Sequence, residues 1–167
     1  FGDTEQIYDG QVTNWIRTEN NFTIELGITI DQETLNTLPT TGEQENGFIL
    51  HISNKAKELT TIDHIELGWN PIGHPPAGIY DLPHFDFHYY MVTEEEVHNT
   101  MVEATMEIAP PADYLPANYI PGPSIPMMGK HWLDATSPEL NGSVFNKTFT
   151  YGSNNGEVTF YEPMITK

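Results

Sequence analysis

The chain of 167 residues contains no cysteine. Disulfide bonds, thiolate metal ligands and cysteine nucleophiles are therefore excluded. No apolar run approaches the roughly twenty residues that a membrane-spanning helix needs, so we expect no membrane insertion. The sequence also lacks a glycine-rich phosphate loop, a dinucleotide fingerprint and a Gly-x-Ser-x-Gly nucleophile elbow. These absences remove several common enzyme chemistries from consideration.

Basic residues are scarce as well. Six lysines and arginines stand against 24 aspartates and glutamates, which gives a formal net charge of -18 at pH 7. Such a charge repels nucleic acid and favours cations or basic partners, so we expect no nucleic-acid partner. A strongly acidic surface also serves solubility, and the charge alone does not name a ligand.

Alternating and short apolar runs predict a strand-rich chain. The predicted strands cover residues 12–17, 22–30, 48–52, 62–69, 84–92, 144–151 and 157–162. Helical segments are predicted after the capping residue Asp31, at residues 55–59, and from a Thr93/Glu96 capping box to about residue 104. Residues 110–126 hold six prolines and are predicted to form an extended, ordered loop.

Short turns join most neighbouring strands, which favours antiparallel pairing. We therefore predict a single domain over residues 1–167 with an α+β fold. This domain is β-rich, with a mostly antiparallel sheet arranged as a barrel-like structure or a sandwich, a few short helices and the long proline-rich loop. Edge strands and exposed aromatic side chains in such a domain make a homo-oligomer a further expectation.

One segment concentrates potential metal ligands. His74, His84, Asp86 and His88 all lie within residues 69–88, together with four prolines. Imidazole and carboxylate groups are favoured ligands of divalent transition metals. Prolines reduce the entropy cost of holding a loop in one shape. The segment therefore predicts a metal site.

The strand period decides which of these side chains can meet. Alternation places His84, Asp86 and His88 on one face and Phe85, Phe87, Tyr89 and Met91 on the other, which we expect to be the core face. At about 3.3 Å per residue, the Cα atoms of His84 and His88 lie roughly 13 Å apart, near the limit for sharing one ion. Either the strand bends after Pro83 and both bind, or the neighbours Asp86 and His88 bind. Alternatively, Asp86 orients a liganding imidazole by accepting its hydrogen bond.

Two distant residues are candidates to complete the site. His131 follows the proline-rich loop and could close the site from a distance. Glu162 shares its strand face with Val158 and Phe160, and a carboxylate on an apolar face needs a metal or a buried hydrogen bond. The remaining histidines lie outside the constellation, and His64 is expected to face solvent.

Six short motifs carry a family resemblance. They are Gly73-His74-Pro75-Pro76, Tyr80-Asp-x-Pro-His84-Phe-Asp-Phe-His88, Met128-Gly-x-His131-Trp132, Thr148-Phe, Tyr151-Gly and Glu162-Pro-Met. As a set they resemble a family of secreted or stress-regulated bacterial proteins that is defined only as a domain of unknown function. The resemblance implies a periplasmic or extracellular location, and it marks His74, His84, His88, His131 and Glu162 as the positions to test.

Three functions remain open on these residues. The first is a metal-binding protein with zinc as the first choice, because histidines with a carboxylate suit a tetrahedral zinc shell. Copper, nickel or iron is also compatible, and Met127 and Met128 could supply soft ligands for copper. The second is a metalloenzyme, a hydrolase or an oxygenase, with an open coordination position. His84-x-Asp86 with a distant histidine has the oxygenase spacing, but Arg17 is the only arginine available for an oxoacid cosubstrate. The third is a non-catalytic structural or assembly protein with a histidine-rich polar cluster.

Overall fold

A computed structural model describes residues 1–42 and 47–167. Its strands form two antiparallel sheets. Within the described residues the strands are β1 (Thr4–Ile7), β2 (Gly10–Glu19), β3 (Phe22–Ile30), β4 (Phe48–His51), β5 (His64–Asn70), β6 (His84–Tyr90), β7 (Tyr119–Ile125), β8 (Gly129–Asp134), β9 (Lys147–Asn154) and β10 (Glu157–Thr166). The helices are α1 (Gln32–Thr37), α2 (Asn54–Leu59), α3 (Glu94–Thr100) and α4 (Glu103–Met106).

The small sheet has the order β1-β2-β3, and the large sheet has the order β4-β5-β6-β10-β9-β8-β7. Strand β10 pairs with β9 through the Asn155-Gly156 turn, where both residues have positive φ, and with β6 on its other side. The last strand thus joins the two halves of the large sheet. This arrangement confirms the predicted β-rich α+β fold. It also favours the sandwich-like alternative, because within the described residues the large sheet ends at β4 and β7, which do not pair with each other.

The two faces of the large sheet are covered differently. On one face the small sheet packs against it, and their shared core includes Ile7 and Val12 with Ile65, Leu67 and Phe85. On the opposite face, helix α3 and the segment that follows it, up to Met106, cover one end of the large sheet.

A second apolar cluster lies under this helical cover and contains Tyr90, Phe160, Val97, Met101 and Met106. A third cluster of Tyr80, Phe145 and Met164 lies at the other end of the same face. The middle of this face is left to polar residues.

The helices differ from the prediction in one respect. The capping box is present, since Thr93 and Glu96 exchange side-chain and backbone hydrogen bonds at the start of α3. The expected continuation to residue 104 is wrong, because α3 ends at Thr100 and Met101 leaves helical geometry to enter the second cluster. Among the described residues, no helix combines the length and the apolar character needed to cross a bilayer.

The proline-rich loop is shorter than predicted, because residues 119–125 form strand β7. This strand is an edge of the large sheet, and its register shifts between Pro121 and Ser124. Prolines are tolerated at sheet edges and irregular pairings, where a missing N–H interrupts fewer ladder hydrogen bonds. Sequence alone could not separate this edge strand from a loop.

Gly152 allows tight packing in the middle of the large sheet. It pairs with His131 of β8 on one side and with Phe160 of β10 on the other. A Cβ at this position would lie 1.8 Å from the Phe160 ring. The absence of a side chain therefore lets the Phe160 ring lie across β9.

We predict that Gly152→Ala lowers the free energy of unfolding by at least about 1–3 kcal/mol, the usual cost of overpacking a core. Urea unfolding followed by circular dichroism measures the effect. Gly122→Ala on β7 is the matched control, because its Cβ would meet the Leu133 side chain at 3.0 Å and the His131 carbonyl oxygen at 3.1 Å, contacts that a shift of a few tenths of an ångström relieves. Equal stability of both variants would contradict the packing described for Phe160.

Candidate metal centre

Strand β6 has the two faces that its sequence predicts. The residues that face the core between the sheets are Phe85, Phe87, Tyr89 and Met91. His84, Asp86 and His88 lie on the opposite face and are buried. The polar face of this strand is therefore an interior surface, covered by the helical segment and by loops.

The candidate ligands meet as two groups of three. His74, His84 and Asp86 form the first trio, and His88, His131 and Glu162 form the second trio. Within each trio the potential ligand atoms lie within 4.8 Å of one another, so each trio could hold a metal ion. The sequence suggested one site, and the structure divides it. The reason is the strand rise, which keeps His84 and His88 roughly 13 Å apart at their Cα atoms.

The loop between β5 and β6 brings His74 to the first trio. The His74 backbone N–H donates to the Tyr80 carbonyl at 3.0 Å, which closes the loop. Gly73 has a φ of +73°, and a Cβ there would lie 2.1 Å from the Tyr80 oxygen. The loop can fold back because residue 73 is glycine. The His74 ring then lies with its centroid 4.7 Å from that of His84.

Strand register assembles the second trio. On β10, Tyr161 pairs with Tyr89 and Met164 with Asp86, so the same register places Glu162 opposite His88. His131 lies on β8, beyond β9, and reaches the site from there. The second trio therefore takes its members from three strands that are distant in sequence.

Each carboxylate lies between two imidazole Nε2 atoms, with one oxygen directed to each. The N···O distances are 3.5 Å for His74–Asp86, 3.2 Å for His84–Asp86, 3.2 Å for His88–Glu162 and 3.5 Å for His131–Glu162. Ligand atoms bound tetrahedrally at about 2.0–2.1 Å from zinc lie about 3.3 Å apart. The observed spacings, each to a different carboxylate oxygen, suit a buried imidazole–carboxylate ion pair and also a set of ligands around one ion.

Three of the four histidines are oriented through their other nitrogen. His74 Nδ1 lies 2.6 Å from the Pro75 carbonyl, His84 Nδ1 lies 2.6 Å from the Leu82 carbonyl, and His131 Nδ1 lies 3.3 Å from the Pro123 carbonyl. A carbonyl only accepts hydrogen bonds, so Nδ1 carries the proton in each ring. This leaves Nε2 directed at the carboxylate, which is the arrangement that orients metal-bound histidines.

Several of these buried atoms lack a hydrogen bond. Among the described residues, His84 Nε2, Asp86 Oδ1 and His88 Nε2 are buried without a hydrogen-bond partner. Two of their N···O contacts are 3.2 Å long, but they are not aligned as hydrogen bonds. Leaving such atoms unsatisfied is costly. A cation between nitrogen and oxygen would satisfy both.

The charges of the second trio are strongly coupled. Burial lowers the pKa of His88, but the adjacent Glu162 charge outweighs this and raises it to about 9. Burial raises the pKa of Glu162, but His88 and His131 hold it below its ordinary value. Burial lowers the pKa of His131, and Glu162 offsets this only in part. In the metal-free protein, one proton on His88 therefore takes the place of a bound cation.

The charges of the first trio are coupled in the same way. Burial raises the pKa of Asp86, but His74 and His84 beside it hold it well below the ordinary range. Burial lowers the pKa of His74, but the Asp86 carboxylate raises it above its usual value. Asp86 was predicted either as a ligand or as a residue that orients one, and its position between two Nε2 atoms suits direct binding.

Sequence reasoning missed two residues that hold the carboxylates. The Asn70 amide donates to Asp86 Oδ2 at 2.7 Å, and the Thr150 hydroxyl donates to Glu162 Oε2. Alternation along each strand could predict which face Asn70 and Thr150 occupy. Which carboxylate each one contacts depends on how the strands pair, and the sequence does not show this. The expectation that His64 faces solvent is wrong, because it is buried and its ring stacks on Tyr90 at 5.0 Å.

Both trios line one cavity of about 330 Å³. Each trio contributes its carboxylate and one imidazole to the wall, namely Asp86, Glu162, His74 and His131. The other histidine of each trio lies behind them. The rest of the lining is mainly apolar and consists of Pro75, Pro76, Tyr80, Pro123, Ile125, Met128, Leu133, Thr150 and Met164.

Comparisons with known proteins do not assign this arrangement. No family model matches the chain, and neither a curated protein nor a solved structure shows significant similarity to it. The motif resemblance to an uncharacterised bacterial family therefore stays a prediction.

We predict that His88 in the metal-free protein titrates at about pH 9 and that His131 titrates below the ordinary histidine range. Imidazole chemical shifts measured by NMR over pH 5–10 test this. In Glu162→Gln, the pKa of His88 should fall markedly, because burial then acts without a neighbouring negative charge. Protonated His88 contributes stability that is fully present below its unfolded pKa of about 6.5 and lost as the pH rises through about 9. An unchanged His88 titration in Glu162→Gln would contradict the ion pair.

Proposed function

We propose that this protein binds divalent transition-metal ions at the two trios, with zinc as the first choice. The supporting observation is that two buried carboxylates each lie 3.2–3.5 Å from two Nε2 atoms. Two of these contacts are not aligned as hydrogen bonds, and the Nδ1–carbonyl contacts direct Nε2 of three rings toward the position that an ion would occupy. Two histidines and one carboxylate form each ligand set, a combination that zinc accepts and that calcium and magnesium, as oxygen-seeking ions, do not favour.

Copper, nickel and iron are the alternative metals. Met128 lines the cavity and could add a thioether ligand for copper, whereas Met127 is exposed. Two histidines and one carboxylate are also the ligand set of non-haem iron oxygenases. Competition between these ions in one dialysis experiment identifies the preferred metal.

A metalloenzyme is the second candidate function. Structural zinc sites have four protein ligands, whereas catalytic sites keep three and leave a position open. Each trio supplies three ligands, and each borders the cavity. An ion there could polarise a carbonyl group or lower the pKa of a bound water molecule. The purely structural alternative does not account for a cavity at both trios.

A periplasmic or extracellular location and self-association remain part of the proposal. The location rests on the sequence motifs, and self-association rests on the exposed apolar side chains.

We predict that the metal-free protein takes up two equivalents of Zn²⁺ per chain. Equilibrium dialysis followed by elemental analysis measures this stoichiometry. Asp86→Asn should lower the zinc affinity of the first trio by at least about ten- to a hundredfold or abolish binding there. Glu162→Gln should have the same effect on the second trio. The double variant should retain neither site.

Glu94→Gln is the matched control for these variants. Glu94 Oε1 lies 2.7 Å from His51 Nε2 in an exposed contact outside both trios. Its loss should leave the zinc stoichiometry unchanged. Absence of bound metal in the wild-type protein, or an equal effect of the control, would overturn the proposal.

We also predict that zinc binding to the second trio strengthens with pH. The metal must displace the His88 proton, so the apparent affinity should rise by up to about tenfold per pH unit until about pH 9. Zinc competition with a buffered chelator, carried out on Asp86→Asn so that only the second trio is intact, measures this slope. A flat affinity between pH 6.5 and 8.5 would contradict a protonated His88.

A further inference from the structure

The cavity reaches from solvent down to the two trios. Exposed residues at its mouth include Pro75, Pro123 and Ile125, while Asp86 and Glu162 lie buried at its base. Since His84 and His88 lie behind these carboxylates, an ion in either trio would have a buried histidine on one side and the cavity on the other. The open coordination positions would therefore face the cavity.

The metal ions would give the cavity a positive charge. Each trio has one carboxylate, so a trio that holds a divalent ion carries a net charge of about +1 with neutral histidines. No lysine or arginine is among the lining residues, and Asp86 and Glu162 are already used as ligands. An uncompensated positive charge in a largely apolar cavity favours an anionic ligand. The same charge disfavours a protonated ammonium group.

The walls above the trios are apolar. Ile125, Met128, Leu133 and Met164 line the cavity, and none of them offers a strong hydrogen-bonding group. A volume of about 330 Å³ is at the lower end of the range for small-molecule sites. The space suits a short apolar body better than a sugar, a nucleotide or a polymer.

From the charge at the base and the apolar walls, we propose that the cavity binds a small monocarboxylate with an apolar body. Its carboxylate oxygen would complete the coordination of an ion held by a trio, and its hydrocarbon part would lie against Ile125 and the neighbouring walls. This inference rests on the proposed metal binding.

The test uses the protein loaded with Co²⁺, whose visible absorption reports changes in coordination. The probes are acetate, butyrate and hexanoate, with hexanol and hexylammonium as controls that have the same tail without the anion. We expect each added methylene to tighten binding by about fourfold, so that hexanoate binds on the order of a hundredfold more tightly than acetate. Hexanoate should perturb the Co²⁺ spectrum, and the two controls should not.

Two isoleucines of β7 provide matched variants. Ile125 lines the cavity and Ile120 does not, and both are partly exposed, at 39% and 46%. Ile125→Asn should weaken hexanoate binding by about tenfold or more without changing metal stoichiometry, since it replaces an apolar contact. Ile120→Asn should change neither.

The outcomes separate the two proposals. If no Co²⁺ or Zn²⁺ binds, the proposed function fails and the carboxylate site fails with it. If the metal binds but acetate and hexanoate bind equally, or if hexanol binds as tightly as hexanoate, only the carboxylate inference is overturned. Equal effects of Ile125→Asn and Ile120→Asn would likewise contradict the position assigned to the apolar tail.

Discussion

Asp86 and Glu162 place two carboxylates on one interior face of the large sheet, on the adjacent strands β6 and β10. As diagonal neighbours, their Cα atoms are separated by about 7–8 Å. Two negative charges separated by a similar distance would repel by about 2 kcal/mol at an effective dielectric constant of 20, and burial of each charge costs several kcal/mol more. The fold can contain them only with compensating positive charge, and four imidazoles surround them.

The layers around the carboxylates follow from this requirement. The second apolar cluster lies at one end of the face, with Phe160 packed against His88 and His131 at ring-centroid distances of 5.1 and 5.2 Å. The third cluster lies at the other end, where Tyr80 and Phe145 pack against His84. Packing thus holds the histidine rings, and three of them, those of His74, His84 and His131, also contact a backbone carbonyl. Such support fixes ligand positions before an ion binds.

Local sequence patterns predicted the parts of this site that depend on one strand. The two-residue period of β6 assigned Asp86 to one face and Phe85 to the core, and the apolar neighbours of Glu162 indicated that its carboxylate needs a partner. The rise of β6 already separates His84 from His88, but the grouping of Glu162 with His88 could not be predicted in the same way. It depends on the pairing of β10 with β6, which are distant in the chain, and a one-residue change of register would reverse the face of every side chain. The same limit hid Asn70 and Thr150, whose hydrogen bonds to the carboxylates cross between strands.

If the trios bind metal ions as proposed, the overall charge and the local site would have opposite consequences for ligands, and this would set an order of binding. A formal charge of -18 attracts cations and repels anions at long range. Before metal binding, the proton on His88 only neutralises Glu162, so the second trio offers no net positive charge to an anion. An anionic molecule gains a favourable interaction only after the trios hold divalent ions, because only then does the net charge at the cavity base become positive. Metal binding would therefore come first, and the acidic surface would favour it while leaving recognition of an anion to short-range contacts with the ion and the apolar walls.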